Sequence, residues 1–238
     1  MKSYKDLKIK IFADGANVDE MKRVYSEGLV KGFTTNPTLM KKDGVTDYVS
    51  FAKDVLSVIK DLPISFEVFS DDFETMEKQA RLIGSWGENV YIKIPVTNTK
   101  AEKSDKLINK LSGDGLKLNI TAILTVKQTE EVMEAVSGDT KSIISVFAGR
   151  IADTGKDPVP IMMKCKEAVS RNKNAELLWA SSRELLNIIH AENCGCDIVT
   201  VTNDIIKKLP MIGKDLDELS LDTVKMFYND AAAAGYKF

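Results

Sequence analysis

Short apolar runs alternate along the chain with longer segments in which apolar residues recur every three or four positions. The longer segments have helical periodicity, as at Phe51, Val55 and Ile59. The apolar runs are of strand length and predict eight strands: 8–13, 32–36, 64–69, 90–96, 116–124, 142–147, 176–180 and 197–202. Eight strands that alternate with helices predict a (β/α)8 TIM barrel, here a single domain over residues 1–238.

Chain length agrees with this fold, because a barrel of this kind needs about 250 residues and the chain has 238. No linker or low-complexity stretch interrupts it. The main alternative is an open, doubly wound sheet. No G-x-G-x-x-G motif follows the first predicted strand, which disfavours that alternative.

The fourth predicted strand, 90–96, contains a lysine, Lys93, with apolar neighbours on both sides. A lysine can lie on the wet face of a surface strand. Here the apolar residues occupy both alternating faces, which is typical of a strand that is buried on both sides. Burying an ammonium costs several kcal/mol unless it is paired, and burial favours the neutral amine. We therefore interpret Lys93 as a candidate nucleophile.

Polar side chains stand at or just after the carboxyl ends of the predicted strands, the place where barrels of this fold carry their chemistry. Any one of them can be a helix cap or a turn former. Around a lysine, however, they supply carboxylates for proton transfer, amides and hydroxyls for sugar hydroxyls, and guanidinium for an anion. They are Asp14, Thr34, Asn36, Glu67, Asn119, Thr121, Ser145, Ser181, Arg183, Asn203 and Asp204.

Composition excludes several classes of function. Lys and Arg total 33 against 35 Asp and Glu, so no overall field favours nucleic acid or an anionic membrane. No run approaches the roughly 18 apolar residues of a membrane span, and the first residues lack a signal-peptide core. The three cysteines predict reduced thiols in a cytoplasmic protein. The only histidine, His190, lacks neighbours at ligand spacing, so neither a metal nor a Ser-His pair is expected.

Several motifs together resemble the transaldolase family. Residues 32–38, GFTTNPT, resemble its second-strand signature, and residues 91–97, YIKIPVT, resemble the strand of its Schiff-base lysine. Further matches lie at 118–121, 145–151 and 180–183, in the order of the family and over nearly the whole barrel.

The resemblance implies one of two related activities. Transaldolases pass a dihydroxyacetone unit between sugar phosphates, from fructose 6-phosphate or sedoheptulose 7-phosphate to an aldose phosphate, whereas fructose-6-phosphate aldolase-like enzymes release it. The transaldolase branch has Glu on the third strand and Phe on the sixth, as Glu67 and Phe147 are here, where the other branch has Gln and Tyr. Transaldolase, serving the pentose phosphate pathway, is the preferred interpretation; an aldolase and a catalytically idle phosphosugar-binding barrel remain alternatives.

The family's roles carry over onto matching residues. Lys93 would form the Schiff base, Glu67 and Thr121 would handle its protons through a water, and Asp14 would take the proton from the fourth-carbon hydroxyl. No cofactor or metal is expected, since the iminium is the electron sink. The residues expected to bind substrate are Thr34, Asn36, Asn119, Ser145 and Phe147 around the three-carbon unit and Arg150, Ser181 and Arg183 at the phosphate. A barrel-rim salt bridge is the alternative for the two arginines.

The end of the chain, residues 220–234, has helical periodicity with an apolar stripe that includes Leu221, Val224, Phe227 and Tyr228. Such a helix can pack on its own barrel. The resemblance implies instead that it packs on a neighbouring subunit, and we expect a homo-oligomer.

Overall fold

The computed structural model describes residues 3–236, and its main feature is a closed barrel of eight parallel strands. Each strand pairs with the next in the chain, and the eighth pairs with the first. The strands are β1 (Lys10–Asp14), β2 (Gly32–Thr34), β3 (Ile64–Glu67), β4 (Val90–Pro95), β5 (Leu118–Ile123), β6 (Ser142–Val146), β7 (Ala175–Trp179) and β8 (Ile198–Thr202). The predicted TIM barrel is confirmed, with strand ends that differ from the predicted ones by at most two residues.

The helices are α1 (Val18–Ser26), α2 (Pro37–Lys42), α3 (Tyr48–Val58), α4 (Phe73–Gly84), α5 (Asp105–Gly113), α6 (Val126–Ala135), α7 (Ala148–Ala152), α8 (Val159–Val169), α9 (Leu186–Asn193), α10 (Asn203–Ile206) and α11 (Leu216–Ala234). Helices α1 to α9 connect successive strands, and α10 and α11 follow the last strand. Short 3₁₀ turns cover Tyr4–Asp6 and Leu209–Met211.

The described chain divides into two compact units. Residues 8–206 form the barrel, and residues 3–7 with 207–236 form a smaller unit that contains α11. Helix α11 begins at Leu216, four residues before the predicted start, because the Asp215 side chain accepts hydrogen bonds from the backbone N–H groups of Asp217 and Glu218. The assignment of residues 1–238 to one domain stays a prediction.

Apolar side chains fill the interior of the barrel. The buried cluster consists of Phe12, Tyr91, Ile143, Leu178, Ala180 and Ile198. Gly32 on β2 makes room for one member, because a β-carbon at this position would lie about 2.5 Å from the ring of Phe12. The missing side chain of Gly32 therefore lets an aromatic ring close the barrel core.

The strand register brings the candidate catalytic groups side by side. Glu67 on β3 pairs with Lys93 on β4, and Lys93 pairs with Asn119 on β5. Paired residues on adjacent strands point to the same face, so these three side chains lie at one level inside the barrel. Register alone thus places a carboxylate and an amide on either side of the lysine.

Candidate active site

A cavity of about 350 Å³ opens at the carboxyl ends of the strands. The twelve residues to which the sequence analysis gives a catalytic or binding role all line it: Asp14, Thr34, Asn36, Glu67, Lys93, Asn119, Thr121, Ser145, Phe147, Arg150, Ser181 and Arg183. Asn203 and Asp204, the two other strand-end candidates, do not line it. Its volume lies at the lower end of the range for small-molecule sites, which suits a single sugar phosphate.

Lys93 is buried, as predicted, with 6% of its surface exposed. Its ammonium donates a hydrogen bond to the backbone carbonyl of Thr35 at 2.8 Å and lies 3.1 Å from Oε2 of Glu67. The carboxylate and the carbonyl together offset part of the cost of burial. The side chain is therefore held in one place, with a proton acceptor beside its nitrogen.

Glu67 is held through its backbone by a residue that the sequence did not point to. The hydroxyl of Tyr48, the first residue of α3, accepts a hydrogen bond from Glu67 N–H at 2.8 Å and donates one to Glu67 C=O at 3.0 Å. In the sequence, Tyr48 is only one more member of a helical periodic segment, and no pattern distinguishes it.

Asp14, at the end of β1, lies in a chain of hydroxyls and amides. Thr34 donates to its Oδ1 at 2.8 Å, and the side-chain amide of Asn36 lies 3.5 Å from the same oxygen. The hydroxyl of Thr200 lies 2.6 Å from that of Thr34. Because Thr34 gives its only proton to Asp14, Thr200 donates to Thr34.

Burial controls the protonation of Asp14. Desolvation raises the pKa of this carboxyl above its ordinary value of 3.8, and the nearby Glu67 raises it further, while Lys93 and the hydrogen bonds from Thr34 and Asn36 lower it. The net shift of the pKa is upward, and desolvation is its largest cause. A carboxylate that holds its proton more tightly is also a stronger base.

A second polar network crosses the barrel from β3 to β6. The amide of Asn119 donates to the hydroxyl of Ser65 at 2.9 Å, and the hydroxyl of Ser145 donates to the amide oxygen of Asn119 at 2.6 Å. All three side chains are buried. The bonds fix the orientation of the Asn119 amide beside Lys93.

Thr121 differs from its neighbours because its buried hydroxyl has no hydrogen-bond partner within the described residues. The register of β5 shifts between Ile120 and Ile123, and Ala122 has a positive φ of 62°. A bulge of this kind re-aims the side chains around it. Thr121 therefore lines the cavity with a hydroxyl to which the described residues offer no hydrogen bond.

The rim of the cavity carries the two arginines. The guanidinium of Arg183 forms a two-point contact with Asp153, with a shortest distance of 2.5 Å, so the salt bridge considered as the alternative for this residue is present. Arg150 lies with its guanidinium carbon 5.6 Å from the centroid of the Phe147 ring. The two arginines thus differ, since one is engaged by a carboxylate and the other by an aromatic face.

Ser181 is held in an uncommon backbone conformation, with φ at 62°. Its carbonyl oxygen would lie 1.6 Å from a β-carbon on Gly149. Only a glycine permits this close approach between α7 and the segment that follows β7, where Ser181 lines the cavity.

Sequence reasoning missed several residues of the cavity. Thr200 and Thr202 line it from β8, and Ser182 lines it after β7. Alternation along 198–202 carries a signal for the first two, because the polar residues fall on every second position. Ser65, which binds Asn119, follows the same alternation, because it precedes Glu67 by two residues on β3.

The cysteines are buried and unbridged, and burial raises the pKa of Cys165, Cys194 and Cys196. Within residues 3–236, no group of three or more His, Cys, Asp or Glu side chains could hold a metal ion. No helix in this part of the chain has the length and apolar character needed to cross a membrane.

Comparisons with known proteins agree with the geometry of the cavity. Residues 11–237 match the family model described as Transaldolase/Fructose-6-phosphate aldolase. The chain belongs to this family. The match includes the lysine, both carboxylates and both arginines of the cavity.

Curated relatives in the family carry the name probable transaldolase. One from Methanococcus maripaludis strain C5 is 35% identical over 202 residues, which cover 84% of this chain and 89% of the relative. Another from Listeria monocytogenes, named probable transaldolase 2, is 34% identical over 213 residues, 88% of this chain and 93% of the relative. Family and names together indicate a transaldolase-type enzyme.

A solved structure from Burkholderia cenocepacia J2315 has a TM-score of 0.61 and covers 97% of this chain and 85% of its own. Its sequence identity is 13%, so the likeness concerns the fold alone.

Proposed function

We propose that the chain is a transaldolase that moves a dihydroxyacetone unit from a ketose phosphate, fructose 6-phosphate or sedoheptulose 7-phosphate, to an aldose phosphate through a Schiff base on Lys93. The observation that carries the proposal is the buried ammonium of Lys93, 3.1 Å from Glu67 in a cavity that also contains Asp14. A buried amine with a carboxylate in reach can lose its proton and attack a carbonyl.

In the first stage, Glu67 takes the proton of Lys93, and the free amine attacks the ketose carbonyl. The carbinolamine then loses water to give the iminium. Glu67 and the unpartnered hydroxyl of Thr121 would hold and move these protons through a water. Thr121 supports this role because a buried hydroxyl without a partner is costly unless a water or substrate binds it.

In the second stage, Asp14 removes the proton from the fourth-carbon hydroxyl. The bond between the third and fourth carbons breaks, its electrons move into the iminium, and an aldose phosphate leaves an enamine on Lys93. Burial raises the pKa of Asp14, which suits a general base. Asn36, Asn119 and Ser145 would hold the hydroxyls of the three-carbon unit, with Thr34 orienting Asp14.

The fate of the enamine depends on Phe147. This side chain lines the cavity and carries no hydroxyl, so it cannot protonate the enamine carbon. An unprotonated enamine waits for an aldehyde acceptor, which favours transfer over release. Arg150, Ser181 and Arg183 would hold the phosphate of donor and acceptor in turn.

Acceptor dependence tests the proposal. Purified enzyme with fructose 6-phosphate and erythrose 4-phosphate should form sedoheptulose 7-phosphate and glyceraldehyde 3-phosphate. Without erythrose 4-phosphate, release of dihydroxyacetone should be at least about 100-fold slower. Efficient release without acceptor would favour the aldolase, and binding of fructose 6-phosphate without turnover would favour an idle binding barrel.

Phe147→Tyr is the matched variant for this test. A tyrosine hydroxyl would supply the missing proton donor, so acceptor-free release should rise by about 10-fold or more while transfer falls. Unchanged partition between release and transfer would contradict the role of Phe147.

We also propose that the enzyme is a homo-oligomer. Leu221, Val224, Phe227 and Tyr228 on α11 are each more than half exposed, a stripe that a second copy could cover. Light scattering should give a mass of several chains. A mass of 26.4 kDa would reject the proposal.

A further inference from the structure

The end of β3 is unusual because its last residue has no strand beside it on one flank. Alternate residues of a strand direct their backbone groups to opposite neighbours. Val68 N–H donates to the carbonyl of Lys93 on β4, so the N–H and C=O of Glu67 face β2. Strand β2 ends at Thr34, and α2 begins at Pro37.

The ladder between β2 and β3 stops one bond early. Phe33 N–H donates to Pro63 C=O, and Thr35 N–H donates to Ser65 C=O at 3.2 Å. In a parallel ladder, the next bond would run from Glu67 N–H to Thr35 C=O. Instead, Glu67 N–H donates to the hydroxyl of Tyr48, and Thr35 C=O accepts from the ammonium of Lys93.

One hydroxyl therefore satisfies both backbone groups of Glu67. Tyr48 accepts from the N–H at 2.8 Å and donates to the C=O at 3.0 Å. A backbone N–H left without a partner at this depth would be costly, and the nearest alternative in the ladder is the carbonyl that holds Lys93. The phenol thus keeps the two groups of the missing bond apart.

The ring of Tyr48 is fixed by its surroundings. It packs edge-on against Phe66 and Trp86, with centroid distances of 6.1 and 5.6 Å, and against Phe69 at 4.6 Å. The Asp47 side chain caps α3 directly before it. Burial raises the pKa of Tyr48, so the hydroxyl keeps the proton that it donates.

We propose that Tyr48 is a positioning residue for the pair formed by Glu67 and Lys93. By binding the backbone of Glu67, it sets the carboxylate and leaves the Thr35 carbonyl to hold the lysine. The inference rests on the proposed function, in which this pair carries out formation of the Schiff base. It predicts that loss of the hydroxyl slows imine formation without lowering the final fraction of enzyme that forms the imine.

Tyr48→Phe is the test, because it removes the hydroxyl and keeps the ring. Tyr25→Phe is the matched control, since its hydroxyl donates to Asp61 at 2.6 Å, outside the cavity. Rapid mixing with fructose 6-phosphate followed by borohydride quench gives the rate and the final amount of adduct. For Tyr48→Phe, the rate should fall by about 10- to 100-fold with full final labelling, and Tyr25→Phe should match the wild type.

The rate of adduct formation and the final amount of adduct together separate a positioning role from a structural one. A structural role would lower the labelled fraction and Tm while leaving the rate of the remaining folded enzyme unchanged, and that result would overturn the proposal. The effect should also be smaller in a Glu67→Gln background than in the wild type, because the part that acts through the Glu67 carboxylate is absent there. If Tyr48→Phe slowed adduct formation by the same factor in the Glu67→Gln background as in the wild type, the proposal would be overturned as well.

Wild-type enzyme supplies the remaining controls. If it forms no adduct, the proposed function fails, and the role of Tyr48 fails with it; if it forms the adduct and Tyr48→Phe is equally fast, only the role of Tyr48 fails. Should Tyr48→Phe not fold, amide hydrogen exchange decides. Glu67 N–H should exchange as slowly as Val68 N–H, and fast exchange at Glu67 alone would contradict the bond to Tyr48.

Discussion

The inner wall and the rim of the cavity are built differently. On the inner wall, Lys93 is buried and Asp14 is half-buried, and each is held by at least two polar groups. On the rim, the Arg183 side chain is 51% exposed and binds Asp153, which is 52% exposed. The register of the barrel positions the inner groups, whereas long, solvated side chains form the rim.

This difference separates two tasks. Preorganised groups in a buried site act on bonds that change in the transition state. Exposed arginines attract and hold an anion, a contribution that salt screens. Substitutions on the inner wall should therefore lower kcat, and substitutions on the rim should raise KM.

The largest effect is expected for Lys93→Arg. The charge remains, but a guanidinium cannot form a Schiff base at working pH, so kcat should fall by about 10⁴-fold or more. Turnover of fructose 6-phosphate with erythrose 4-phosphate measures it. Lys166→Arg is the control, because this lysine pairs with Asp197 outside the cavity and should keep wild-type activity. Substantial activity in Lys93→Arg would mean that the reaction does not pass through a Schiff base on Lys93.

Asp14→Asn should lower kcat by about 10²- to 10⁴-fold, because the amide cannot accept the proton of the fourth-carbon hydroxyl. Borohydride should still trap the variant, since imine formation precedes the step that needs Asp14. A variant that forms no adduct would place Asp14 in the earlier step instead.

The raised pKa of Asp14 also has a consequence for stability. The folded protein holds this proton more tightly than the unfolded chain, so stability falls as pH rises from 3.8 through the raised pKa. The Asp14→Asn variant has no carboxyl at this position to deprotonate, so it does not undergo this loss of stability. Its Tm should exceed that of the wild type at neutral pH, and the gain should vanish below pH 3.8. A lower Tm at neutral pH would contradict the dominance of desolvation.

Rim substitutions should have intermediate effects. Arg150→Ala should raise KM for fructose 6-phosphate by about 10- to 100-fold, the size expected for a charge-assisted contact with phosphate, with kcat within about threefold of wild type. The difference in KM between Arg150→Ala and the wild type should become smaller in high salt, because salt screens the contact with phosphate. A decrease in kcat with an unchanged KM would mean that Arg150 acts in the chemical step, like the residues of the inner wall, rather than in phosphate binding.

The smallest effect is expected for Asp153→Asn. The change removes the charge that competes with phosphate for Arg183, so KM should fall by about two- to fivefold. Steady-state kinetics at low salt resolve a change of this size. A rise in KM would mean that Asp153 positions Arg183 rather than competing for it.

Most of the fold and the inner wall could be predicted from the sequence, since strand periodicity, barrel topology and strand-end polarity are local signals. Lys93 was recognisable because apolar neighbours occupy both faces of its strand. Glu67 and Asn119 followed from the motifs, and their adjacency to Lys93 follows from register.

The rest depends on contacts between segments that are distant in the chain. Tyr48 reaches Glu67 from a helix 19 residues away, and Asp153 reaches Arg183 over 30 residues. The positive φ of Ser181 depends on the absence of a side chain at Gly149, which is a property of two segments together. No periodicity within one segment records such pairings.

The central claim is that Lys93 forms the covalent intermediate. Incubation with fructose 6-phosphate, reduction with borohydride and peptide mass mapping test it most directly. We predict a single reduced dihydroxyacetone adduct on Lys93, absent without substrate and absent in Lys93→Arg. An adduct on any other lysine, or no adduct in an enzyme that turns over the substrate, would contradict the account.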